Sequence, residues 1–140
     1  MQVRRKKELL IVKLEPGDEW PGDPARAISG AGLRGGFYTG IGAVDRLTVA
    51  FFDLSQSRYL PVALEEPLEI VSLTGNCACD EAGGVILHAH TLATRRDGSA
   101  IGGHLVTARV SVTLEIGILD AGCELARRID PRFGLKLWQF

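Results

Sequence analysis

Strand-like segments follow one another with only short interruptions between residues 37 and 119. Each is rich in β-branched residues and is bounded by glycine, proline or aspartate, a pattern typical of strands. The segments are residues 37–44, 46–53, 58–64, 68–79, 85–95 and 100–119. Parallel neighbours need a connection of roughly a dozen residues or more, and the connections here are shorter. The sequence therefore predicts one large sheet whose neighbouring strands run antiparallel.

The segment before this region adds little helix. Residues 9–14 form a short apolar run that predicts one more strand. Residues 15–36 hold six of the 17 glycines and three of the six prolines, so any helix there is expected to be short. Asp23 and Pro24 are typical of an N-cap and a first helical residue, and Gly30 or Gly32 is expected to end the helix. Together these elements predict an α+β fold.

The two ends of the chain have weaker patterns. Residues 1–8 are predicted to be a basic lead-in to the first strand, with the basic run at residues 4–7 solvated. Residues 124–140 are ambiguous and are expected to pack onto the sheet through Leu135, Leu137 and Trp138. Because no repeat or linker interrupts the sequence, residues 1–140 are expected to form a single domain.

Composition and charge exclude several classes of protein. The 140 residues carry a formal net charge of −1, which argues against a protein that holds nucleic acid by bulk positive charge. No apolar run approaches the roughly 20 residues that a membrane helix needs. The N-terminal apolar run is too short for an export signal and the three cysteines are an odd number, so we expect a cytoplasmic protein.

The segment from Gly30 to Gly35 contains the pattern GxGxxG. A dinucleotide-binding fingerprint follows a strand and opens a helix, whereas this segment follows the predicted helix and precedes a strand. We therefore expect a flexible loop here and no organic cofactor.

All three histidines of the protein lie in one predicted hairpin. His88 and His90 are two residues apart, so on a strand they point to the same face. A three-residue loop at residues 96–98, with Gly98 left-handed, places His90 directly opposite His104 and brings the three imidazoles together. A two-residue turn at Asp97 and Gly98 instead turns His104 away from His90.

Three neutral imidazoles with an open fourth position are typical of a catalytic or exchangeable zinc site. Iron, cobalt and nickel also accept imidazole ligands, so a divalent metal is expected, with zinc as the first choice. The alternative is three partly buried histidines that bond to the backbone. The loop register decides between the two interpretations.

Other polar residues are weaker candidates for the same site. Cys77 lies opposite His88 in one register and faces away in the neighbouring one; simple packing is the expected role of Cys77, Cys79 and Cys123. Glu69 and Glu115 interrupt apolar strands, so each is a candidate fourth ligand or general acid–base group. Pairing with an arginine such as Arg109 is the favoured alternative, and a regular strand would place Glu115 on the face opposite His104.

An ordered series of short motifs resembles the plants-and-prokaryotes conserved (PPC) domain family, from about residue 9 to residue 137. The series is Gly40-Ile41-Gly42-Ala43-Val44, Glu69-Ile70-Val71-Ser72-Leu73-Thr74-Gly75, His88-Ala89-His90, Asp97-Gly98 with Gly102-Gly103-His104-Leu105, Glu115, Arg128-Ile129-Asp130 and Gly134-Leu135. The resemblance implies an α+β fold that assembles as a homotrimer. Plant members carry AT-hooks and act in DNA-binding proteins, and bacterial relatives inherit that DNA-binding assignment.

Two departures from the family pattern bear on function. No Arg-Gly-Arg-Pro core of an AT-hook occurs in the chain, and Pro67-Leu68 precede Glu69 where plant members carry arginine and phenylalanine. The sequence is similar to the histidine-bearing prokaryotic branch, which implies that His88, His90 and His104 are metal ligands. Residues 15–36 also lack the longer amphipathic helix of most relatives. Acetolactate decarboxylase, a zinc enzyme, is a more distant resemblance.

Three functions follow from these expectations. The first is a trimeric metal-binding module with a regulatory or interaction role. The second is a lyase- or decarboxylase-like metal enzyme that acts on a small keto or carboxylate compound and holds it with a cation such as Arg109. The third is DNA binding through residues 4–7 and Arg95-Arg96. A small anion at the metal is an expected ligand, and no membrane partner is expected.

Overall fold

The structure is a computed structural model and describes residues 1–139. One ten-stranded sheet and a single helix account for most of the described chain. The elements are β1 (Gln2–Lys6), β2 (Leu9–Leu14), β3 (Glu19–Trp20), α1 (Gly22–Gly30), β4 (Gly36–Asp53), β5 (Arg58–Leu64), β6 (Leu68–Cys79), β7 (Val85–Thr94), β8 (Ala100–Asp120), β9 (Ala126–Asp130) and β10 (Leu135–Gln139). The predicted antiparallel sheet with little helix is confirmed; only the single β6–β9 bridge is parallel.

Four strands close into a ring. Strand β4 pairs with β6, β6 with β7, β7 with β8 and β8 again with β4, each pair antiparallel. Alternate residues of these strands point into the ring, where their apolar side chains pack together. Leu73 and Val44 are fully buried there, and α1 adds Ile28 to the same core. This packing holds β7 and β8, which carry the histidines, in a fixed register.

The outer face of the sheet is defined by residues that lie directly opposite one another. In an antiparallel pair such residues share a face. One row across β2, β8, β4, β6 and β7 is Leu9, Leu119, Phe37, Asn76 and His88, and the next is Ile11, Gly117, Thr39, Thr74 and His90. His88 and His90 therefore lie outside the ring, on the face that α1 and the core do not cover.

The region predicted as two strands at residues 37–53 is one strand, β4. On the β8 side a register shift lies between Val44 and Arg46, so Asp45 is a bulge within the strand. The bulge takes Asp45 out of the ladder without ending the strand, so its carboxylate reaches Arg109. Asp45 therefore marks a bulge inside a continuous strand and not the end of a strand.

The helix and the chain ends also differ from the expectation. Helix α1 begins at Gly22 with Pro21 at the N-cap, and Asp23 instead accepts a hydrogen bond from the backbone N–H of Glu19. Residues 2–6, expected as a lead-in, form the exposed edge strand β1.

The ambiguous tail is a hairpin, β9–β10, and Trp138 packs edge-on against Phe37 of the sheet, as predicted. Phe140, the last residue of that tail, lies outside the described residues. Within residues 1–139 the single helix is too short to cross a membrane.

Candidate metal centre

The β7–β8 hairpin has the three-residue loop that brings the histidines together. Arg95 donates its backbone N–H to Ser99 O at 2.9 Å, and Gly98 donates to Arg95 O at 3.0 Å. Gly98 has a φ of 81°, the left-handed conformation that this loop type requires. His90 pairs directly with His104, so the predicted register is confirmed.

The three imidazole rings form a compact cluster. The ring centroids of His88 and His90 are 5.2 Å apart, those of His88 and His104 are 5.2 Å apart, and those of His90 and His104 are 5.8 Å apart. One nitrogen of each ring lies within 4.8 Å of one nitrogen of each of the others. His88 and His104 are half-buried, and His90 is exposed. The cluster is thus open to solvent on the His90 side.

The cluster fits a divalent metal ion. Tetrahedral zinc bonds of about 2.0–2.1 Å place ligand nitrogens about 3.3 Å apart, so small side-chain rotations would bring these atoms into position. His104 Nδ1 is buried and has no hydrogen-bond partner among residues 1–139. Leaving a buried ring nitrogen unpaired costs free energy, and a metal–nitrogen bond would recover it. The donor set of three imidazoles also suits zinc and its neighbours.

Burial and nearby charge favour the neutral histidines that a metal requires. Burial, followed by the charge of Arg127, lowers the pKa of His88 to about 4. Burial, followed by the effect of His90, also lowers the pKa of His104. Both rings are therefore neutral near pH 7 and need not lose a proton before they bind a metal ion.

Two other side chains flank the cluster. The Tyr59 ring of β5 stacks on His104 with centroids 4.7 Å apart and planes inclined by 24°. On the other side Arg127 Nη2 lies 3.0 Å from His88 Nδ1 and donates to Asn76 Oδ1 at 2.9 Å. Arg127 comes from β9 of the C-terminal hairpin, and only 6% of its surface is exposed.

The sequence analysis did not single out Arg127 as a site residue. The hairpin that carries it has a signal, because Asp130-Pro131-Arg132-Phe133-Gly134 is a turn-like run and Gly134 has a φ of 68°. That signal predicts the hairpin but not where it docks. Only the docked position brings Arg127 to a residue that lies 39 positions earlier in the chain.

A pocket of about 310 Å³ adjoins the histidines, between the sheet and the C-terminal hairpin. Its polar lining includes His88, His104 and Arg127, and Leu135 and Leu137 of β10 form part of its apolar wall. The cluster therefore opens both to solvent and into a partly apolar cavity.

The candidate acid–base residues do not lie at the histidines. Glu115 is 11 residues from His104 on β8, roughly 35 Å along the strand. Glu69 lies opposite Thr94, four residues from His90 on β7, or roughly 13 Å along that strand. Both glutamates are exposed and line one shallow depression on the outer face with Ile41. The structure brings these two residues together, but away from the cluster.

Arg109 is neither the partner of a glutamate nor part of the site. Its Nε and Nη2 donate to the two carboxylate oxygens of Asp45, each at 2.7 Å. This pairing lowers the pKa of Asp45. The expectation that Arg109 neutralises Glu69 or Glu115 was wrong because the β4 bulge presents a nearer acid.

The cysteines do not contribute to the cluster. Asn76, not Cys77, lies opposite His88, and Cys77 pairs with Leu87 and packs in the core. Burial raises the pKa of the Cys77 thiol to about 11. Cys79 is buried with its sulfur near Arg34 O. Cys123 is exposed, so the packing role expected for it was wrong. The packing role predicted for Cys77 and Cys79 is the one observed.

Comparisons with solved structures agree with this fold. A protein from Bacteroides thetaiotaomicron, assigned provisionally to DNA binding, is 29% identical with a TM-score of 0.93, covering 99% of this chain and 96% of that one. A metal-containing protein from Archaeoglobus fulgidus is 28% identical with a TM-score of 0.87, covering 99% and 96%. A Staphylococcus aureus protein similar to alpha-acetolactate decarboxylase shares the fold more distantly, at 13% identity and a TM-score of 0.55, covering 79% and 51%.

A comparison of the sequence with curated proteins gives no significant match. The family model described as the Plants and Prokaryotes Conserved (PCC) domain, the family abbreviated PPC above, matches residues 1–121. The match includes all three histidines and ends before the C-terminal hairpin. The chain belongs to the plants-and-prokaryotes conserved domain family.

Proposed function

We propose that this protein is a cytoplasmic, homotrimeric PPC-domain module that binds one divalent metal ion per chain through His88, His90 and His104. The observation that carries the proposal is the convergence of three ring nitrogens within 4.8 Å. The unpartnered, buried His104 Nδ1 supports it. Zinc is the first choice because three neutral imidazoles and an open fourth position suit it. The metal would make the cluster a site for a small anion.

The structural neighbours support this proposal in part. The Archaeoglobus fulgidus protein is described as metal-containing and is similar over almost the whole chain. A regulatory or interaction role accounts for a metal site that has none of the candidate acid–base residues beside it.

An exposed apolar surface supports assembly into a trimer. Five large side chains of the outer sheet face are 46–59% exposed in the isolated chain; they are Ile11, Phe37, Ile41, Val71 and Leu119. Apolar patches of this kind usually mark protein–protein interfaces. Three copies that share this face would cover it and place their metal clusters near the shared surface.

Charge does not favour DNA as the partner, although the Bacteroides thetaiotaomicron neighbour is assigned provisionally to that function. The net charge is −1, and two of the candidate cations already have acidic partners. Arg5 pairs with Asp120 at 2.7 Å, and Arg95 pairs with Glu66 at 2.8 Å. A phosphate backbone would have to compete with these pairs.

A metal-dependent enzyme is the second candidate function. The pocket beside His88 and His104 favours it, because a substrate bound there would lie against the metal ligands. The metal would supply Lewis-acid polarisation of a carbonyl or carboxylate group. This candidate predicts turnover of a small keto or carboxylate compound, whereas the module predicts binding alone.

Metal analysis of purified protein tests the proposed site. We expect about one divalent ion per chain in the wild type and almost none in the double variant His90→Ala/His104→Ala. Cys123→Ser is the matched control, because it removes an exposed potential ligand that lies outside the cluster. Equal metal content in the wild type and the double variant would rule the site out.

Two further measurements complete the test. Circular dichroism checks that the double variant is folded, and the single variant His90→Asn, at an exposed position, replaces it if it is not. Light scattering is expected to give the mass of three 15.1-kDa chains. A monomer at micromolar concentration would contradict the homotrimer.

A further inference from the structure

Arg127 is a buried cation that has no anionic partner among the described residues. Its side chain lies beneath the C-terminal hairpin, and no carboxylate among residues 1–139 lies within ion-pair distance of it. Its recorded polar partners are neutral: Lys136 O at 2.7 Å, Asn76 Oδ1 at 2.9 Å and His88 Nδ1 at 3.0 Å. Its Nε is buried without a hydrogen-bond partner. Its Cζ lies 5.5 Å from the centroid of the Trp138 ring, a cation–π contact that offsets only part of the cost of burying the charge. A buried cation with only neutral partners favours an anionic ligand.

The contact with His88 sets the protonation of that ring. A guanidinium only donates hydrogen bonds, so His88 Nδ1 accepts from Arg127 and the neutral ring carries its proton on Nε2. A metal ion at Nδ1 would use the lone pair that Arg127 occupies. A metal ion at Nε2 would move the proton to Nδ1, which then could not accept. Either mode of metal binding at His88 therefore breaks the Arg127–His88 hydrogen bond.

We propose that a divalent ion at the three histidines displaces Arg127 from His88, and that the freed guanidinium binds the carboxylate of a small organic acid in the adjoining pocket. This inference rests on the metal site proposed above. Once His88 is lost, one Nη2–H and the Nε–H of Arg127 have no partner among the described residues. These two N–H groups can donate to the two oxygens of one carboxylate, as the same two groups of Arg109 do to Asp45.

The walls of the pocket define the rest of the ligand. The cavity of about 310 Å³ is also lined by Ile86, Leu87, Leu135 and Leu137. A compact hydrocarbon body fits these side chains, whereas a phosphate or sulfate would place only charged oxygens against them. The ligand class is a carboxylate with a short branched apolar chain. Metal and ligand then bind cooperatively, because each favours the state in which Arg127 has left His88.

Calorimetric titration of the zinc-loaded protein tests this proposal. The probe is isovalerate, and isovaleramide is the uncharged compound of the same shape. We expect isovalerate to bind, and we expect the affinity for isovaleramide to be lower by about tenfold or more. Arg127→Met should weaken isovalerate binding by about tenfold or more, and Arg127→Lys should have an intermediate effect, since lysine keeps the charge but not the paired N–H groups. Arg128→Met is the matched control on the same strand and should change nothing.

Zinc titration without the carboxylate tests the displacement. Arg127→Met should bind zinc more tightly than the wild type, because no guanidinium then competes for His88. Isovalerate should raise the zinc affinity of the wild type roughly fivefold or more and leave that of Arg127→Met unchanged. Thermal melting checks that each variant is folded. If Arg127→Met does not fold, Arg127→Lys replaces it in both titrations.

The outcomes separate the two proposals. A wild-type protein that binds no zinc overturns the metal site, and this inference with it. A second outcome is that the wild type, Arg127→Met and Arg128→Met all bind zinc with the same affinity and all bind isovalerate with the same affinity. This outcome supports the metal site and overturns the role of Arg127. Equal affinity for isovalerate and isovaleramide overturns the carboxylate as the recognised group.

Discussion

His90 lies directly opposite His104 across the β7–β8 pair, and this single register brings all three histidines of the chain together. A shift of one residue would turn His104 to the inner face of the sheet. The register depends on a loop of three residues whose last member, Gly98, has a φ of 81°. The candidate metal centre therefore depends on the conformation of this loop.

Substitution of Gly98 tests the importance of the loop. Nothing lies within 4 Å of a Cβ at this position, so the cost of a side chain is that of the left-handed backbone alone. We expect Gly98→Val to lower stability by about 1–2 kcal/mol and Gly98→Asn by less, since asparagine tolerates this conformation. Urea unfolding measures the difference. Equal unfolding midpoints for the two variants would contradict the assigned loop conformation.

A second glycine, Gly75, allows β6 to approach the histidine strand. A Cβ there would overlap the carbonyl oxygen of His88 and lie 2.7 Å from the Tyr38 hydroxyl, which donates to that oxygen. We expect Gly75→Ala to destabilise the protein by about 3 kcal/mol or more and to reduce metal content. Gly30→Ala, where a Cβ meets nothing within 4 Å, is the control and should be nearly neutral. Similar melting temperatures for both variants would count against this close approach.

The partial burial of His88 predicts how the stability of the protein depends on pH. The pKa of His88 is about 4 in the folded protein and 6.5 for the free side chain, so the unfolded chain binds more protons between these values. Stability should be fully present above pH 6.5 and should fall as pH decreases toward 4. Because the ring is only half-buried, the loss at His88 is expected to be about 1–2 kcal/mol.

Urea unfolding of chelator-treated protein from pH 7.5 to 4 measures this effect. His88→Asn removes the titrating group and should flatten part of the curve. Identical pH dependence in the wild type and this variant would show that His88 does not titrate as its burial implies.

The exposed face predicts how assembly responds to charge. Ile41 is 59% exposed in the isolated chain and lies directly opposite Glu115. We expect Ile41→Lys to fold, because Glu115 offers the new charge a partner, but to dissociate the proposed trimer. Leu54→Lys, at a 71% exposed position in the β4–β5 turn, is the matched control and should remain a trimer. Sedimentation analysis gives the masses, and an unchanged mass for Ile41→Lys would place the interface elsewhere.

Local sequence patterns determined the strands, the face shared by His88 and His90, and the two registers open to His104. These depend on the two-residue period of a strand and on loop geometry, both of which act over a few residues. A local signal that is compatible with two structures does not predict which of them forms. Asp45 marks a bulge inside β4 rather than a chain reversal, because β8 pairs with β4 both before and after Asp45 and stabilises the continuous strand.

Tertiary structure alone decided which charged residues surround the histidines. Arg109 and Arg127 both lie in strands, and nothing near them in the sequence shows which of the two meets an acid. Asp45 pairs with Arg109, whereas the docking of β9–β10 brings Arg127 to His88, and no carboxylate among residues 1–139 pairs with Arg127. Contacts between distant segments depend on how whole elements pack, which no short pattern encodes. The sequence thus determined the three candidate ligands, and the packing of the C-terminal hairpin placed a buried positive charge beside them.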